Sequence, residues 1–333
     1  MNQKKNIYCL TPIYNDWESF AVLVQEISLL KQNFSAYDFF IVAVNDGSTE
    51  DISEDFDYKN IPATVLNLKI NIGHQRAIAV GLQYIYNEVS DYDFVVVMDS
   101  DGEDKPQDIK ELINKAEQEQ EKKIIFAQRK KRQESTFFKI GYFFYKYLFY
   151  FLTGQKISFG NFSVIPKKLL SKVVHQNNIW NHYSGGIIQS KIPFEKVLLD
   201  RGKRYKGVSK MNFNSLIVYG LSSISVYFDF LSIRILRYSL YGIGICTISV
   251  LYILYQKLFT NNAIPGWASS LTLIILGIIL QLFSVTLVVL LLQLSSRKNI
   301  NSPNSKIYLD FIESKLNIAL YEESGNDRIK SLN

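Results

Sequence analysis

The stretch Phe94-Val95-Val96-Val97-Met98-Asp99-Ser100-Asp101-Gly102-Glu103-Asp104 decides how the chain is read. Its apolar half reads as a buried strand. It ends abruptly in acids. Asp99 and Asp101 occupy alternate positions, so an extended backbone points them the same way, and Glu103 extends the spacing once more. Gly102 lets the backbone turn. Carboxylates converging at the carboxyl end of a buried strand suit a hard divalent cation, and in open α/β sheets ligands bind at that edge. The plainer reading is a surface turn with acids before a helix that carries Pro106 in its first turn.

Working outward, Ile7–Pro12 reads as a first strand and Trp17–Lys31 as a helix with Phe20, Leu23, Val24, Ile27 and Leu30 on one face. Phe39–Val44 is a second buried strand, ending in the polar turn Asn45-Asp46-Gly47-Ser48. A short strand covers Thr64–Leu68, and Asn71-Ile72-Gly73-His74 opens a helix through Tyr86. Beyond the acidic stretch come a helix over Pro106–Glu119 and strands over Lys123–Gln128, Gly160–Pro166 and Ile192–Leu199. This alternation predicts an α/β domain with a mostly parallel sheet and helices on both faces. The loops after Thr11, Val44 and Met98 then fall together at the carboxyl edge.

The 333 residues leave room for a sizeable core and two structural parts. Hydrophobic residues make up 47% of the chain but are unevenly spread, and almost no charge appears from Ser239 to Leu294. The net charge of +6 fits positive residues on the cytoplasmic side of a membrane protein. No nucleic-acid-binding motif is present, so a nucleic-acid partner is not expected. Cys9 and Cys246 imply no disulfide framework, in keeping with a reducing compartment. The Ile7–Leu10 run is too short for a signal peptide.

Two segments carry aromatic and cationic character. Ser135–Leu152 is rich in Phe and Tyr with only Lys139 and Lys146 charged, which predicts a helix in the membrane interface. The basic cluster before it, Arg129 to Arg132, reads as a solvated face. Arg201-Gly202-Lys203-Arg204-Tyr205-Lys206-Gly207-Val208-Ser209-Lys210 is cationic and glycine-punctuated, and suits phosphate contact. Asn214–Leu236 holds Asp229 and Arg234 in an apolar setting and reads as a second interfacial helix. Tyr238–Gln256 and Ser269–Leu294 are uncharged and near the ~20 residues needed to span a bilayer. Arg234, Arg237, Arg297 and Lys298 flank them and place both ends in the cytoplasm.

The order Pro12-Ile13-Tyr14-Asn15, then Asn45-Asp46-Gly47-Ser48, then Asn71-Ile72-Gly73, then Asp99-Ser100-Asp101 resembles the family 2 glycosyltransferases with the GT-A fold. With the two carboxyl-terminal spans, the chain is similar to the polyprenyl-phosphate type, such as the dolichol-phosphate mannose synthases and bactoprenol glucosyltransferases. The resemblance implies a Rossmann-like GT-A domain over residues 1–213, including the interfacial helix 135–152. An interfacial helix over 214–236, a transmembrane hairpin over 237–295 and a cytoplasmic tail over 296–333 follow. It also implies a bacterial inner-membrane enzyme with its catalytic domain in the cytoplasm.

The same resemblance assigns residues. Pro12, Tyr14, Asn15, Asp46, Gly73, Asp99 and Asp101 bind the nucleotide-sugar, with Asp46 on the base; a UDP-sugar is expected by analogy. Asp99, Asp101 and Glu103 fall where relatives carry Asp, Asp and Gln around Mg²⁺ or Mn²⁺. Asp101, Arg129, Arg204 and Asn161 are placed in catalysis. Arg204, Ser209 and Lys210 match an Arg-x-x-Gly-x-Ser-Lys segment, and Lys139, Ser209 and Lys210 face the acceptor phosphate. Relatives often have Gly-Asp-Phe where this chain has Gly160-Asn161-Phe162, and Asn161 cannot act as a base. A phosphate monoester with a second pKa near 6 does not need one. His74 is expected to be a structural or nucleotide-side contact. The implied reaction is inverting transfer of a sugar to a polyprenyl phosphate. Another lipid acceptor such as diacylglycerol, or a non-catalytic nucleotide-sugar-binding protein, are the alternatives, and a homo-oligomer is left open.

Overall fold

A computed structural model describes residues 4–50, 52–53, 56–129, 147, 150–151, 154, 159–206, 222, 224–260, 266–298 and 303–318. The strands are β1 (Lys5–Ile13), β2 (Tyr37–Asn45), β3 (Ala63–Leu68), β4 (Phe94–Val97), β5 (Ile124–Arg129), β6 (Ser163–Pro166), β7 (Phe194–Leu199) and β8 (Ile312–Ile318). They form one sheet of order β7-β5-β6-β4-β1-β2-β3-β8. β1 to β4 are mutually parallel where they pair, and β5 and β7 are parallel. β6 is antiparallel to both β4 and β5, and β8 to β3. The sheet is therefore mixed, with the parallel half that the βα alternation predicts at its centre.

Both faces of the central sheet are covered, which is why β2 and β4 read as apolar runs. Helix α1 (Trp17–Asn33) and helix α3 (Ile109–Gln118) cover one face, with Phe20, Leu23, Val24, Ile27 and Leu30 all buried as the periodicity predicts. Helix α2 (His74–Glu88) and the short helices Lys167–Val174 and Tyr183–Gln189 cover the other.

The chain divides into two compact units. One takes residues 1–138, 157–226 and 303–333, and the other residues 139–156 and 227–302. The described residues 303–318 belong to the first unit. β8 extends the sheet beside β3, and buried Tyr308 donates its N–H to Gln83 Oε1 of α2 at 3.1 Å. No apolar run announced β8, because an edge strand needs none; Glu313 and Lys315 on it are the charges that edges carry.

In the second unit, helices Phe228–Phe259 and Trp267–Lys298 are 32 residues each. Both are long and apolar enough to cross a membrane, and their hydrophobic windows are only 11% and 0% buried within the fold. Residues 228–236, expected in a separate interfacial helix, are continuous with the first long helix. Most of 135–152 lies outside the described residues. Arg234 donates to the carbonyl oxygens of Tyr150, at 3.3 Å, and of Phe151, and Gln293 Nε2 donates to Asp229 Oδ1 at 2.7 Å.

Candidate active site

The parallel register brings the ends of β1, β2 and β4 together: Ile13 lies opposite Asn45, and Leu10 opposite Val97. On the β1–β2 side the loops are knotted by side-chain-to-backbone bonds. Asn15 adopts φ 49° and its Oδ1 accepts the N–H of Thr49 at 2.8 Å and of Glu50 at 3.4 Å, while its own N–H donates to Ser48 Oγ at 2.9 Å. Asp46 is 3% exposed and accepts the N–H groups of Ile72 at 2.8 Å and Gly73 at 3.0 Å, tying the end of β2 to the start of α2. Burial pushes its carboxyl up to about 6, against the pull of those amides and of His74. Pro12 is buried in β1, and Tyr14 is 45% exposed beside it.

After β4 the chain turns back on itself. Asp104 Oδ2 accepts the Asp99 N–H at 3.0 Å, and Asp101 Oδ1 accepts that of Glu103 at 3.0 Å. Residues 201–206 lie across this acidic turn as a strap. The Tyr205 N–H donates to the Asp101 carbonyl at 2.8 Å and the Gly202 N–H to the Glu103 carbonyl at 2.9 Å. Two glycines permit the approach. Gly102 sits at φ 89° with a Cβ position only 2.7 Å from the Tyr205 ring, and a Cβ on Gly202 would stand 2.1 Å from the Gly102 oxygen.

Three arginines meet these acids. Arg204 Nη1 reaches Asp101 Oδ2 at 3.1 Å and its Nη2 reaches Asp16 Oδ2 at 3.2 Å. Arg201 bonds Glu103 Oε2. Arg129 Nη2 stands 3.5 Å from Glu103 Oε2 and 3.6 Å from Asp104 Oδ1. Even so, Asp101 is pushed up to about 6, by burial and then by Asp99, and Asp104 to about 7 for the same two reasons.

His74 opens α2 against the acidic turn, with Nε2 3.2 Å from Asp99 Oδ1 and 3.1 Å from Asn161 Nδ2. Burial works against the charged forms of both His74 and Asp99. Their mutual attraction outweighs it, holding Asp99 below its usual range and His74 above its own. His182 is buried, and its Nδ1 accepts the Gly185 N–H at 3.1 Å. Burial, then the nearby His74, pushes it down to about 4, so it is neutral at physiological pH.

Among the described residues, no three His, Cys, Asp or Glu side chains stand together as a complete metal-binding set. A two-carboxylate site completed by substrate phosphates is nevertheless the arrangement that Mg²⁺ prefers. Asp99 and Asp101 fit it. Asp99 Oδ1 is buried and faces the His74 ring, 3.2 Å from Nε2, and Asp99 raises the pKa of both Asp101 and Asp104, so the turn lacks positive charge even with its arginines.

The fold thus brings together Pro12, Tyr14, Asn15, Asp46 and Gly73 on the β1–β2 side. On the other side it gathers Asp99, Asp101, Glu103, Arg129, Arg204 and Asn161. Glu103, grouped with the metal ligands by its spacing, engages Arg129 and Arg201. The alternation rule stops applying because β4 ends at Val97 and the acids lie on a turn. Lys139, Ser209 and Lys210 lie outside the described residues. Asp104, Arg201, Asp16, Gln75 and His182 escaped the motif reading. Asp104 and Arg201 were visible as charges in the quoted stretches, but only the fold pairs them.

A mixed sheet whose parallel half carries acids on its carboxyl-edge loops is a GT-A-like fold. Residues 8–173 match the family described as Glycosyl transferase family 2, and they form a domain of that family, whose reaction class is glycosyl transfer. The chain is 26% identical over 297 residues to the uncharacterized glycosyltransferase YkcC of Bacillus subtilis, covering 83% of this chain and 85% of that one. It is 30% identical over 144 residues to the undecaprenyl-phosphate 4-deoxy-4-formamido-L-arabinose transferase of Photorhabdus laumondii, covering 41% of each. Among solved structures, glucosyl-3-phosphoglycerate synthase from Mycobacterium tuberculosis, in complex with Mn²⁺, UDP-glucose and phosphoglyceric acid, is similar at TM-score 0.47 and 12% identity. That match covers 68% of this chain and 80% of that one.

Proposed function

We propose that the protein transfers a sugar from a nucleotide-sugar, a UDP-sugar by preference, to a polyprenyl phosphate at the cytoplasmic face of a bacterial inner membrane. The observation that carries this reading is the meeting of Arg129, Arg201 and Arg204 with the acids of residues 99–104 at the sheet edge. A site dense in both charges suits a diphosphate and a cation together. The partial likeness to undecaprenyl-phosphate transferases supports the lipid acceptor. The two long apolar helices, flanked by Arg234, Arg237, Arg297 and Lys298, support a membrane anchor with both ends in the cytoplasm.

In this reading the loops around Asn15 and Asp46 hold the nucleoside, with Pro12, Tyr14 and Gly73 shaping the pocket. Asp99 and Asp101 would hold Mg²⁺ or Mn²⁺, which would supply Lewis-acid neutralisation of the leaving diphosphate. Arg129 and Arg204 stabilise the charge that develops on departure. Asn161 offers N–H groups rather than a base, and the acceptor phosphate attacks in its ionised form. The resemblance in sequence assigns Lys139, Ser209 and Lys210 to the acceptor phosphate. The displacement is in line and inverts the sugar carbon.

Membranes containing the protein, incubated with labelled nucleotide-sugars and polyprenyl phosphate, should yield an acid-labile glycosyl phospholipid and free nucleoside diphosphate. A diacylglycerol glycoside as the only product would replace the acceptor. Donor that stays intact with every sugar and lipid would reduce the protein to a binding role.

A further inference from the structure

Asn161 is held at both of its carbonyl groups by a closed ring of buried side chains. Gln75 Nε2 donates to Asn161 Oδ1 at 3.4 Å, and Gln75 Oε1 accepts the Tyr183 N–H at 2.6 Å. The Tyr183 hydroxyl meets Ser163 Oγ at 2.8 Å, and Ser163 Oγ donates to the Asn161 backbone oxygen at 2.9 Å. All four residues are buried.

The direction of each bond follows from what the groups can do. A backbone N–H only donates, so the Gln75 atom facing Tyr183 is its oxygen. Gln75 therefore presents its NH₂ to Asn161, and Asn161 answers with its oxygen. The single Ser163 hydroxyl proton goes to the Asn161 carbonyl, so Tyr183 donates to Ser163. Asn161 is left with its Nδ2 end turned toward His74, 3.1 Å from Nε2, where it donates while the ring is neutral and Nε2 carries the lone pair; the protonated ring gives that edge to Asp99.

We infer that Gln75 is a positioning residue that fixes the Asn161 amide with its N–H end toward the reacting groups. The inference rests on the placement of Asn161 in the transfer site proposed above. An N–H end stabilises an oxyanion, whether the departing diphosphate or the incoming phosphate, while the carbonyl end repels it. An unanchored asparagine can turn over by 180° with almost no change of shape, and the ring removes that freedom. Gln75 comes from α2, Ser163 from β6 and Tyr183 from the helix Tyr183–Gln189. Gln75, itself set by the Tyr183 N–H, orients the amide, while Ser163 and the Tyr183 hydroxyl hold the backbone that carries it.

The test uses the full chain in detergent with the donor and acceptor that the wild type turns over. Gln75→Met removes both bonds and should lower kcat by roughly 10- to 100-fold, short of the loss of a whole transition-state donor, with donor KM within about twofold. Gln75→Glu is the conservative rescue. Protonated, it offers the same acceptor oxygen and an O–H donor. Ionised, it cannot donate. Its kcat relative to wild type should therefore fall as pH rises from about 5 to 8, the range in which a buried carboxyl loses its proton. A wild-type kcat in Gln75→Met, a flat Gln75→Glu ratio, or losses that merely track the folded fraction in a melting curve would each overturn the inference. Asn161→Ala separates it from the reading beneath. Normal turnover there removes Asn161 from the site. Slowed turnover there, with normal turnover in Gln75→Met, rejects the role of Gln75 alone.

Discussion

On the β1–β2 side of the site, Asn15 and Asp46 are tied to backbone N–H groups at 2.8–3.4 Å. On the side of the acidic turn, the acids of residues 101–104 are tied to guanidinium groups at 3.1–3.6 Å. The difference is one of exchangeability. A bond to a backbone amide is fixed by the fold and shapes a pocket. An ion pair between mobile side chains can be traded: a cation can take the carboxylate and a phosphate the arginine. One side is built from contacts that hold shape, and the other from contacts that can change partners.

Four predictions test that contrast, from the largest effect to the smallest. Asp101→Asn keeps the shape of the turn but loses a charged ligand for a hard cation. Transfer should fall by at least roughly 10³-fold, the upper range for removing one transition-state contact, and excess chelator should do the same to the wild type. Appreciable transfer in the mutant would place the charge-dense function elsewhere.

Arg204→Ala should slow transfer by roughly 10²–10³-fold without weakening Mn²⁺ binding to the nucleotide-free protein, because it releases Asp101 from its ion pair. Lysine should recover only part of the rate, since it lacks the two-pronged fork. Weaker Mn²⁺ binding in Arg204→Ala would show that the pair is a fixed scaffold rather than an exchangeable one.

Asp46→Ala belongs to the fixed side. It strands the N–H groups of Ile72 and Gly73, and should cost about 1–3 kcal/mol of stability together with donor affinity. A mutant of normal stability, followed by chemical denaturation, would contradict the pocket-shaping role.

The smallest effect is on pH. Asp101 and Asp104 keep their protons up to about 6 and about 7 in the fold, against an ordinary carboxyl value near 4 in the unfolded chain. The folded state binds more protons across that window. Their contribution to stability is full below pH 4 and is lost as pH rises toward 7. Mg²⁺ or Mn²⁺ needs the ionised acids, so the melting-temperature rise it produces should grow from pH 5 to 8. A cation shift that is constant with pH would separate these two acids from the metal site.

How much of this was legible beforehand depends on how local each signal is. α1 was readable because five apolar residues at helical spacing must face one core. β1, β2 and β4 were readable because strands covered on both faces are continuously apolar. β8 was not, since an edge strand with Glu313 and Lys315 has no hydrophobic signature and gains its identity only beside β3. The split of the acidic turn was not readable either. Alternate spacing sorts side chains only while the backbone is extended, and β4 ends at Val97.

The sequence by itself determined the apolar sheet-forming runs, the two long apolar helices and the acids and arginines that gather at the sheet edge, because hydrophobic period and charge are properties of neighbouring residues. Only the tertiary structure decided which partners those charges take. Arg204 on Asp101, Arg201 on Glu103 and Gln75 on Asn161 are pairs separated by 86 to 103 positions. Their geometry is set by strand order and by two glycines that let one loop lie on another, and no local pattern encodes that.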